Sequence, residues 1–421
     1  MSGPKTSRYV LTAEQRRYLE EQQRIIREIK AAQDRYSNLK RNCKNYIANL
    51  HQIIIELERI SKESGYETET ILYLKQRERE SIVVLSQGIL SKDLKSVKDA
   101  NEKLDKVLYE IHDLISKGKD SISIASAAYK NELADVIEGG FNLSFSDLGS
   151  ERKSKENPFV IKVNDAFQKI ESIILPSKLC MKYEVLKARA QEIKSTDFFE
   201  NFYYLQVYPF IQECEFYKDH IEEYEILLSQ YLYLVGEVGE PAMEFIFSAD
   251  SLIKLKDEIT RLDQIVICQK EQEYINRAVD EAMLEMGYEL VGERSVTKRS
   301  GKKFRNGLYI LEPGTAVNVT FSDSGQISME LGALDITDRT PTETEATELA
   351  DDMRAFCDDY AKLEKKLEKK GITTRKISSL PSSREYAQIF NINDYELKRS
   401  LETYRKEKRK AIIGKQQCRE G

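Results

Sequence analysis

The chain has 421 residues, and 32% of them are charged, with 65 basic and 71 acidic side chains. This length exceeds one ordinary hydrophobic core and predicts two or three domains. The net charge of −6 argues against general nucleic-acid binding, which needs a basic surface. Interspersed charges with only 19 glycines and 8 prolines favour exposed helices.

Several features indicate a cytoplasmic protein without a cofactor. No run of 18 apolar residues occurs, so we expect no membrane-spanning helix. The segment from Met1 to Lys5 lacks the apolar part of a signal peptide, and Ser2 stands where myristoylation needs glycine. The cysteines form no closely spaced pair and predict reduced thiols rather than a zinc site: Cys43, Cys180, Cys214, Cys268, Cys357 and Cys418.

A heptad-spaced apolar stripe between Tyr18 and Ile60 predicts a long helix that packs along one seam. Thr12 and Gln15 provide a capping box at its start. A helix without a partner would leave this stripe in water, so the pattern predicts a coiled coil. Its seam positions are Ile25, Ile29, Tyr36, Leu39, Tyr46, Leu50, Ile53 and Leu57.

A second stripe with the same spacing follows a break near Gly65 and a shorter helix of about residues 68–87. The two stripes can pair within one chain as a hairpin or between chains as a dimer, and the sequence leaves both open. Asn101 either fixes the register inside this seam or lies at its edge. The seam positions are Leu94, Val97, Asn101, Leu104, Leu108 and Ile111.

Residues 158–265 have a helical pattern that is rich in aromatic side chains. Such a cluster is typical of a core between helices or of a protein interface, and base stacking is a third interpretation. Acidic residues after it would repel phosphates and disfavour stacking. The densest part holds Phe198, Phe199, Phe202, Tyr203, Tyr204, Tyr208 and Phe210.

The pattern changes to short alternating segments after a predicted helix of about residues 251–286 that ends at Gly287. Four such segments, separated by turn residues, predict a four-stranded antiparallel meander between residues 288 and 331. Start signals at residues 340–343 predict another helix that ends before Gly371. The fold class is therefore mainly α, with long coiled-coil helices, a helical bundle and a C-terminal α+β module.

Two basic segments are candidate sites for an anionic partner, although exposed solvated loops and tails have the same composition. The first joins the first two predicted strands and contains Lys298, Arg299, Lys302, Lys303 and Arg305. The second lies in the C-terminal tail and contains Arg405, Lys406, Lys408, Arg409 and Lys410.

Motifs for catalysis or metal binding do not stand out, so we predict no catalytic, cofactor or metal residues. The chain has three histidines, and His220-Ile221-Glu222-Glu223 does not match a zincin helix. Neither a phosphate-binding loop nor a nucleophile elbow occurs. A non-enzymatic role is favoured, and an unrecognised active site in the α+β module stays open.

The N-terminal nine residues, from Met1 to Tyr9, run into Leu11, Thr12 and a charged helix. This start resembles that of uncharacterised bacterial coiled-coil proteins. The resemblance covers about twenty residues. It implies a bacterial cytosolic origin and no particular activity.

These patterns predict a domain order with six parts. They are an extended arm at 1–11, coiled-coil helices at 12–149, a linker at 150–157, an aromatic-rich helical domain at 158–265, an α+β module at 266–371 and a helical basic tail at 372–421. The leading hypothesis is a scaffold or adaptor that binds partner proteins in a bacterial cytosolic multi-protein system, and a homodimer is one form that it can take. The alternative is a nucleic-acid-associated accessory factor that uses the basic segments.

Overall fold

A computed structural model describes residues 3–64, 69–88, 93–138, 158–193, 196–297, 303–312, 314–322 and 325–397. The chain divides into two compact units. The sheet unit comprises Met1–Arg24 and Asp263–Gly421, and the helical unit comprises Ile25–Leu262. The prediction of a mainly helical chain with a sheet in its C-terminal part is confirmed.

Helices account for most of the described chain, and none of those described is long and apolar enough to cross a membrane. They are α1 Ala13–Ser64, α2 Glu69–Ser86, α3 Leu94–Glu138, α4 Pro158–Glu171, α5 Ser177–Glu192, α6 Thr196–Phe202, α7 Tyr208–Val238, α8 Ala249–Glu285 and α9 Glu343–Lys369. The strands are β1 Lys5–Leu11, β2 Glu289–Thr297, β3 Lys303–Glu312, β4 Thr315–Ser322, β5 Gln326–Asp335, β6 Ile372–Ser379, β7 Ile389–Asn391 and β8 Glu396–Leu397.

In the helical unit, the seam of α1 packs against α2 and α3 of the same chain. Leu50 and Leu57 are fully buried and lie in one cluster with Leu74 of α2 and Ile111 of α3. A second cluster joins Leu39 to α2 and α3. Every predicted seam residue is at least partly buried. These contacts agree with pairing inside one chain, the hairpin alternative, here with α2 as a third member.

Two residues of α3 show how closely it lies against α1. The amide nitrogen of Asn101 donates to the carbonyl oxygen of Ala32 at 3.0 Å, and Asn101 is buried. A side chain at Gly118 would start 2.5 Å from Ile53, so only glycine allows this approach without a shift. Asn101 therefore lies inside the packed region rather than at its edge, where its bond to α1 favours one register.

The helices α4 to α7 form a separate cluster in the same unit. Its buried residues include Phe167, Tyr183, Phe202 and Phe210, and the rings of Phe167 and Tyr183 meet edge to face with centroids 5.5 Å apart. Aromatic side chains supply much of the buried area here because each covers a large apolar surface. This cluster carries the site described below.

The sheet of the other unit has eight strands in its described part, so the prediction of four is wrong in number. The strand order is β6-β1-β5-β4-β3-β2-β8, and β7 pairs with β5. Strands β2 to β5 correspond to the four predicted segments and pair in succession as antiparallel neighbours. The additional strands come from the N-terminal residues and from the chain after α9.

Two of the predicted segments contribute strands to the sheet. The extended arm at 1–11 contains β1, which pairs with both β5 and β6. The tail at 372–421, predicted as helical, forms strands and short 3-10 turns over 372–397, and its remainder lies outside the described residues. β-Branched residues at the start of β6 and its pairing with β1 explain the strand.

Both faces of the sheet are covered, as the burial along β4 shows. Val317, Val319 and Phe321 pack under α8 and α9, while Ala316 packs against Phe390 and neighbouring C-terminal residues. The helices end where the sequence predicted. Gly287 (φ 92°) follows α8 and Gly371 (φ 75°) follows α9, in the left-handed region that glycine enters without strain.

We expect Leu50→Ala to lower the free energy of unfolding of the helical unit by about 2–5 kcal/mol, because it leaves a cavity among three helices. Ile55→Ala is the matched control on the same helix, since Ile55 is 46% exposed, and should cost less than about 1 kcal/mol. Urea unfolding followed by circular dichroism measures both. Equal losses would contradict the packing of α1 against α2 and α3.

The start of α9 makes stability depend on pH. Hydrogen bonds from Arg339 and from the backbone of Thr342 lower the pKa of Glu345 from 4.5 to about 2. Because the folded pKa is depressed, this carboxylate stabilises the fold fully above about pH 4.5 and loses that effect as the pH falls toward 2. Glu345→Gln should therefore reduce the loss of stability in this window.

The measurement is the urea midpoint of the sheet unit at steps from about pH 6 to about pH 3. Glu343→Gln is the control, because Glu343 lies in the same first turn and makes no bond to Thr342. A Glu345→Gln midpoint that falls with pH as steeply as the wild type would show that Glu345 does not carry the effect.

Candidate functional site

An open groove runs between α5 and the helical segment that includes α6 and the start of α7. It consists of two adjoining depressions of about 660 and 610 Å³. Both are lined by Arg189 on one wall and Gln206 on the other, so they form one continuous feature. Volumes of this size suit side chains of a partner or a small ligand.

Each wall is one face of a helical segment. The residues of α5 that line the groove are spaced by one or three positions, which places them along one side of a helix. The same spacing recurs on the facing wall. The walls are Lys178, Met181, Lys182, Val185, Leu186, Arg189 and Glu192 on α5, and Phe198, Asn201, Phe202, Leu205, Gln206, Pro209, Phe210 and Glu213 opposite.

The floor and the rim of the groove differ in exposure. Leu186, Phe202 and Phe210 form the floor and belong to the buried cluster of α4 to α7. The rim carries large apolar side chains that are mostly in water, namely Met181 (65% exposed), Val185 (52%), Phe198 (66%) and Leu205 (74%). Side chains of this kind, gathered along one groove, mark interaction sites on soluble proteins.

Two polar contacts cross the groove. Lys182 pairs with both carboxylate oxygens of Glu213 at 2.7 and 3.0 Å. Arg189 donates to the neutral side-chain oxygen of Gln206 at 3.0 Å, between the two depressions. Among the described residues no acidic side chain pairs with Arg189 or with Lys178. The lining has three basic side chains, Lys178, Lys182 and Arg189, and two acidic ones, Glu192 and Glu213, so its described part carries one net positive charge.

The backbone of the second wall is irregular where it borders the groove. A π-helical turn, Tyr203–Val207, separates α6 from α7. Pro209 has no N–H to bond the carbonyl of Leu205 four residues earlier, and the wider turn relieves the mismatch. Such turns occur frequently at functional sites.

Burial raises the pKa of two groups in the cluster that forms the floor of the groove. Burial, with a contribution from Glu213, raises the pKa of the Cys214 thiol to about 12, so this thiol is a poor nucleophile. Burial also raises the pKa of the Tyr183 hydroxyl, which donates to Glu171 at 2.6 Å. In the part of the chain that is described, no group of three His, Cys, Asp or Glu side chains is placed to hold a metal ion.

The predicted aromatic cluster contains both buried and exposed members. Phe202 and Phe210 are core residues, whereas Phe198, Tyr204 and Tyr208 are 66%, 52% and 45% exposed. The cluster thus supplies both the floor of the groove and part of its rim. The core interpretation therefore holds for Phe202 and Phe210, and the interface interpretation stays a prediction for the exposed members.

Most of the predicted basic residues cannot be compared with the groove. Lys298, Arg299 and Lys302, as well as all five tail residues from Arg405 to Lys410, lie outside the described residues, and of Lys303 only the backbone is described, in β3.

The predicted site residue Arg305 is already paired with two carboxylates of the protein. It donates to Asp280 at 2.8 Å and to Glu293 at 3.3 Å, and its side chain is 27% exposed. Burial is the largest single influence and opposes its charge, but the hydrogen bonds and negative charges of Asp280 and Glu293 together raise the pKa of Arg305. Because two carboxylates compensate its charge, Arg305 is not available to an anionic partner.

The groove residues Met181, Val185, Arg189 and Leu205 were not predicted from the sequence. A signal for two of them exists in α5. Leu179, Tyr183 and Leu186 give this helix one apolar face toward the core, and Met181 and Val185 add apolar residues on another side. An apolar second side on a surface helix indicates a second contact.

We expect Arg305→Gln to lower the free energy of unfolding of the sheet unit by about 1–3 kcal/mol, since Asp280 and Glu293 lose a charged partner. Arg277→Gln is the control, because Arg277 is 70% exposed and its closest acidic atom is 3.9 Å away. It should change stability by less than about 1 kcal/mol. Urea unfolding measures both, and an unchanged Arg305→Gln midpoint would contradict a structural role.

Neither a protein-family model, nor a characterised protein, nor a solved structure matches this chain. The resemblance of residues 1–9 to bacterial coiled-coil proteins therefore stays a prediction. A function for the chain follows from the groove's own residues, their exposure and their charge.

Proposed function

We propose that the protein is a non-enzymatic scaffold or adaptor, and that the groove between α5 and α7 binds an amphipathic helix of a partner protein. The observation that carries this proposal is the exposed apolar rim over a buried floor. The seam residues of α1 and α3 support the scaffold part, because they build a helical framework without a catalytic constellation among the described side chains.

The apolar character of the rim provides the driving force for binding. Leu205 is 74% exposed and Met181 is 65% exposed, although both could pack if a partner covered them. Removing such side chains from water stabilises a complex in proportion to the apolar area that is buried. The floor is already ordered by Phe202 and Phe210, so binding does not require the groove to form first.

The shape of the groove selects a helix as the bound element. Two helical walls with residues at spacings of three and four leave a channel between them, into which a third helix can insert its own apolar face. Helix-in-groove binding uses anchor residues at successive turns of the bound helix. The two depressions, on either side of the Arg189–Gln206 contact, provide separate places for such anchors.

The positive charges of the groove favour a partner that carries acidic residues. Arg189 has a neutral partner, and Lys178 has no acidic partner among the described residues. A carboxylate on the bound helix would replace the neutral amide of Gln206 with a charge-assisted hydrogen bond to Arg189, which is the stronger interaction. We therefore infer an amphipathic helix with acidic residues beside its apolar face.

Leu205→Ser and Arg189→Glu should each reduce partner binding by about tenfold or more, because one removes an apolar anchor and the other repels the acidic residues. Tagged full-length protein is isolated from its native cells with its bound proteins, with and without nuclease. Quantitative mass spectrometry then compares bound partners among the variants. Circular dichroism confirms that each variant is folded.

Ile253→Ser is the matched control, because Ile253 is 61% exposed on α8 and does not line the groove. A protein that is lost from both groove variants and retained by the control supports the proposal. Equal recovery with all variants would exclude the groove as the binding site. Nuclease-sensitive material retained by both groove variants would support the nucleic-acid alternative instead.

A further inference from the structure

A buried lysine lies next to a cysteine in the sheet unit, far from the groove residues in sequence. Lys5, at the start of β1, is 5% exposed, and its Nζ atom is 3.2 Å from the Sγ atom of Cys357 on α9. The same nitrogen lies 4.3 Å from the ring centre of Tyr360 and 5.6 Å from that of Phe356.

This environment is unusual for a lysine. Buried lysines are nearly always paired with a carboxylate, because an unpaired charge costs much free energy away from water. Among the described residues no carboxylate lies within ion-pair distance of Lys5. The two aromatic rings stabilise the ammonium group through cation–π contacts, and the thiol is the heteroatom that Lys5 contacts.

The nitrogen and the sulfur are held in place from both sides. Lys5 is paired in the sheet with Met329 of β5 and with Ser379 of β6. Cys357 follows Phe356 on α9, and both Phe356 and Tyr360 are buried residues of this helix. Two reactive atoms that are fixed near contact distance react far faster than free groups would.

Cys357 is only partly buried, so part of this residue faces the solvent from which a small oxidant would approach. A peroxide converts a cysteine thiolate to a sulfenic acid, and a sulfenic acid condenses with a nearby nitrogen. In this site the nearby nitrogen is the amine of Lys5.

We propose that Lys5 and Cys357 form a peroxide-dependent sulfenamide cross-link. The Cys357 sulfur attacks one oxygen of hydrogen peroxide, the O–O bond breaks and the first water leaves. Lys5 releases its ammonium proton to solvent, and its nitrogen lone pair attacks the sulfur. The S–O bond breaks, and hydroxide takes a proton from the new N–H₂ group and leaves as the second water. Sulfur loses two electrons, and peroxide gains them.

The cross-link has two physical consequences. It removes a positive charge from a buried site, which favours the product. It also joins β1 to α9 across a sequence separation of 352 residues, and a covalent link across so long a loop restricts the unfolded chain. A thiol reductant reverses it, because sulfenic-acid derivatives of this kind are reducible.

The test treats the purified full-length protein with hydrogen peroxide and identifies cross-linked peptides by tandem mass spectrometry. We expect a peptide pair joined at Lys5 and Cys357, with a mass two hydrogen atoms below the sum of the separate peptides. Dithiothreitol should restore the separate peptides. The oxidised protein should also unfold its sheet unit at a higher urea concentration than the reduced protein.

Three variants make the test specific. Lys5→Met keeps a long apolar stem and removes the nitrogen, and Cys357→Ser removes the sulfur, so neither should give the pair. Cys180→Ser is the matched control, because Cys180 is an exposed thiol in the helical unit, and it should give the pair as the wild type does.

The wild-type protein alone can overturn the proposal, so it stays testable if Lys5→Met does not fold. Dimedone, which traps sulfenic acids, is added after the peroxide. Trapping of Cys357 without any Lys5–Cys357 pair would show that the lysine does not react. Oxidation of Cys180 while Cys357 stays a free thiol would show that peroxide does not reach the site.

Discussion

Pairing of β1 with β5 and β6 is the constraint on which the sheet unit depends. This strand inserts the first residues of the chain between β6 and β5 and places Tyr9 and Leu11 in the main core of the unit. Without β1, the edge of β5 would lose its neighbour and β6 would lose its place in the sheet. Because β1 pairs with strands that follow it by more than 300 residues, the two ends of the described chain fold into one unit. The same pairing positions Lys5 beside α9.

The helical unit depends on side-chain packing rather than on strand pairing. The sizes of the side chains on the facing sides of its helices determine how closely the helices approach. Leu50 and Ile111 find partners within the chain, and Gly118 allows α3 to lie against Ile53. The helix α5 is packed on one side only, and Met181 and Val185 on its other side are exposed. Large apolar side chains are also exposed elsewhere on this unit, for example Leu72 and Ile246, and the rim differs from them in lining one groove.

The two proposed sites use different physics and belong to different units. In the proposed complex, the groove would use its apolar area and the charge of Arg189 in reversible contact with a partner. The proposed Lys5–Cys357 reaction would use proximity and a buried charge that no carboxylate of the described residues pairs with, and it would occur within the chain. Binding and covalent stabilisation can thus be measured independently of each other.

The sequence alone determined the local features of this protein. The apolar stripe along α1, the segments that became β2 to β5, and the glycines that end α8 and α9 were all predicted, because periodicity and turn chemistry act over a few residues. Only the tertiary structure decided the contacts between distant segments. Lys5 and Ser7 occupy inward positions of β1, and these polar residues concealed the strand's alternation. The charge of Arg305 is compensated by carboxylates from two other elements, Asp280 on α8 and Glu293 on β2. Its predicted binding of an anionic partner was based on the composition of its loop, which does not reveal these two partners. The exposure of Leu205 likewise depends on which helices pack around it, and no local pattern encodes that arrangement.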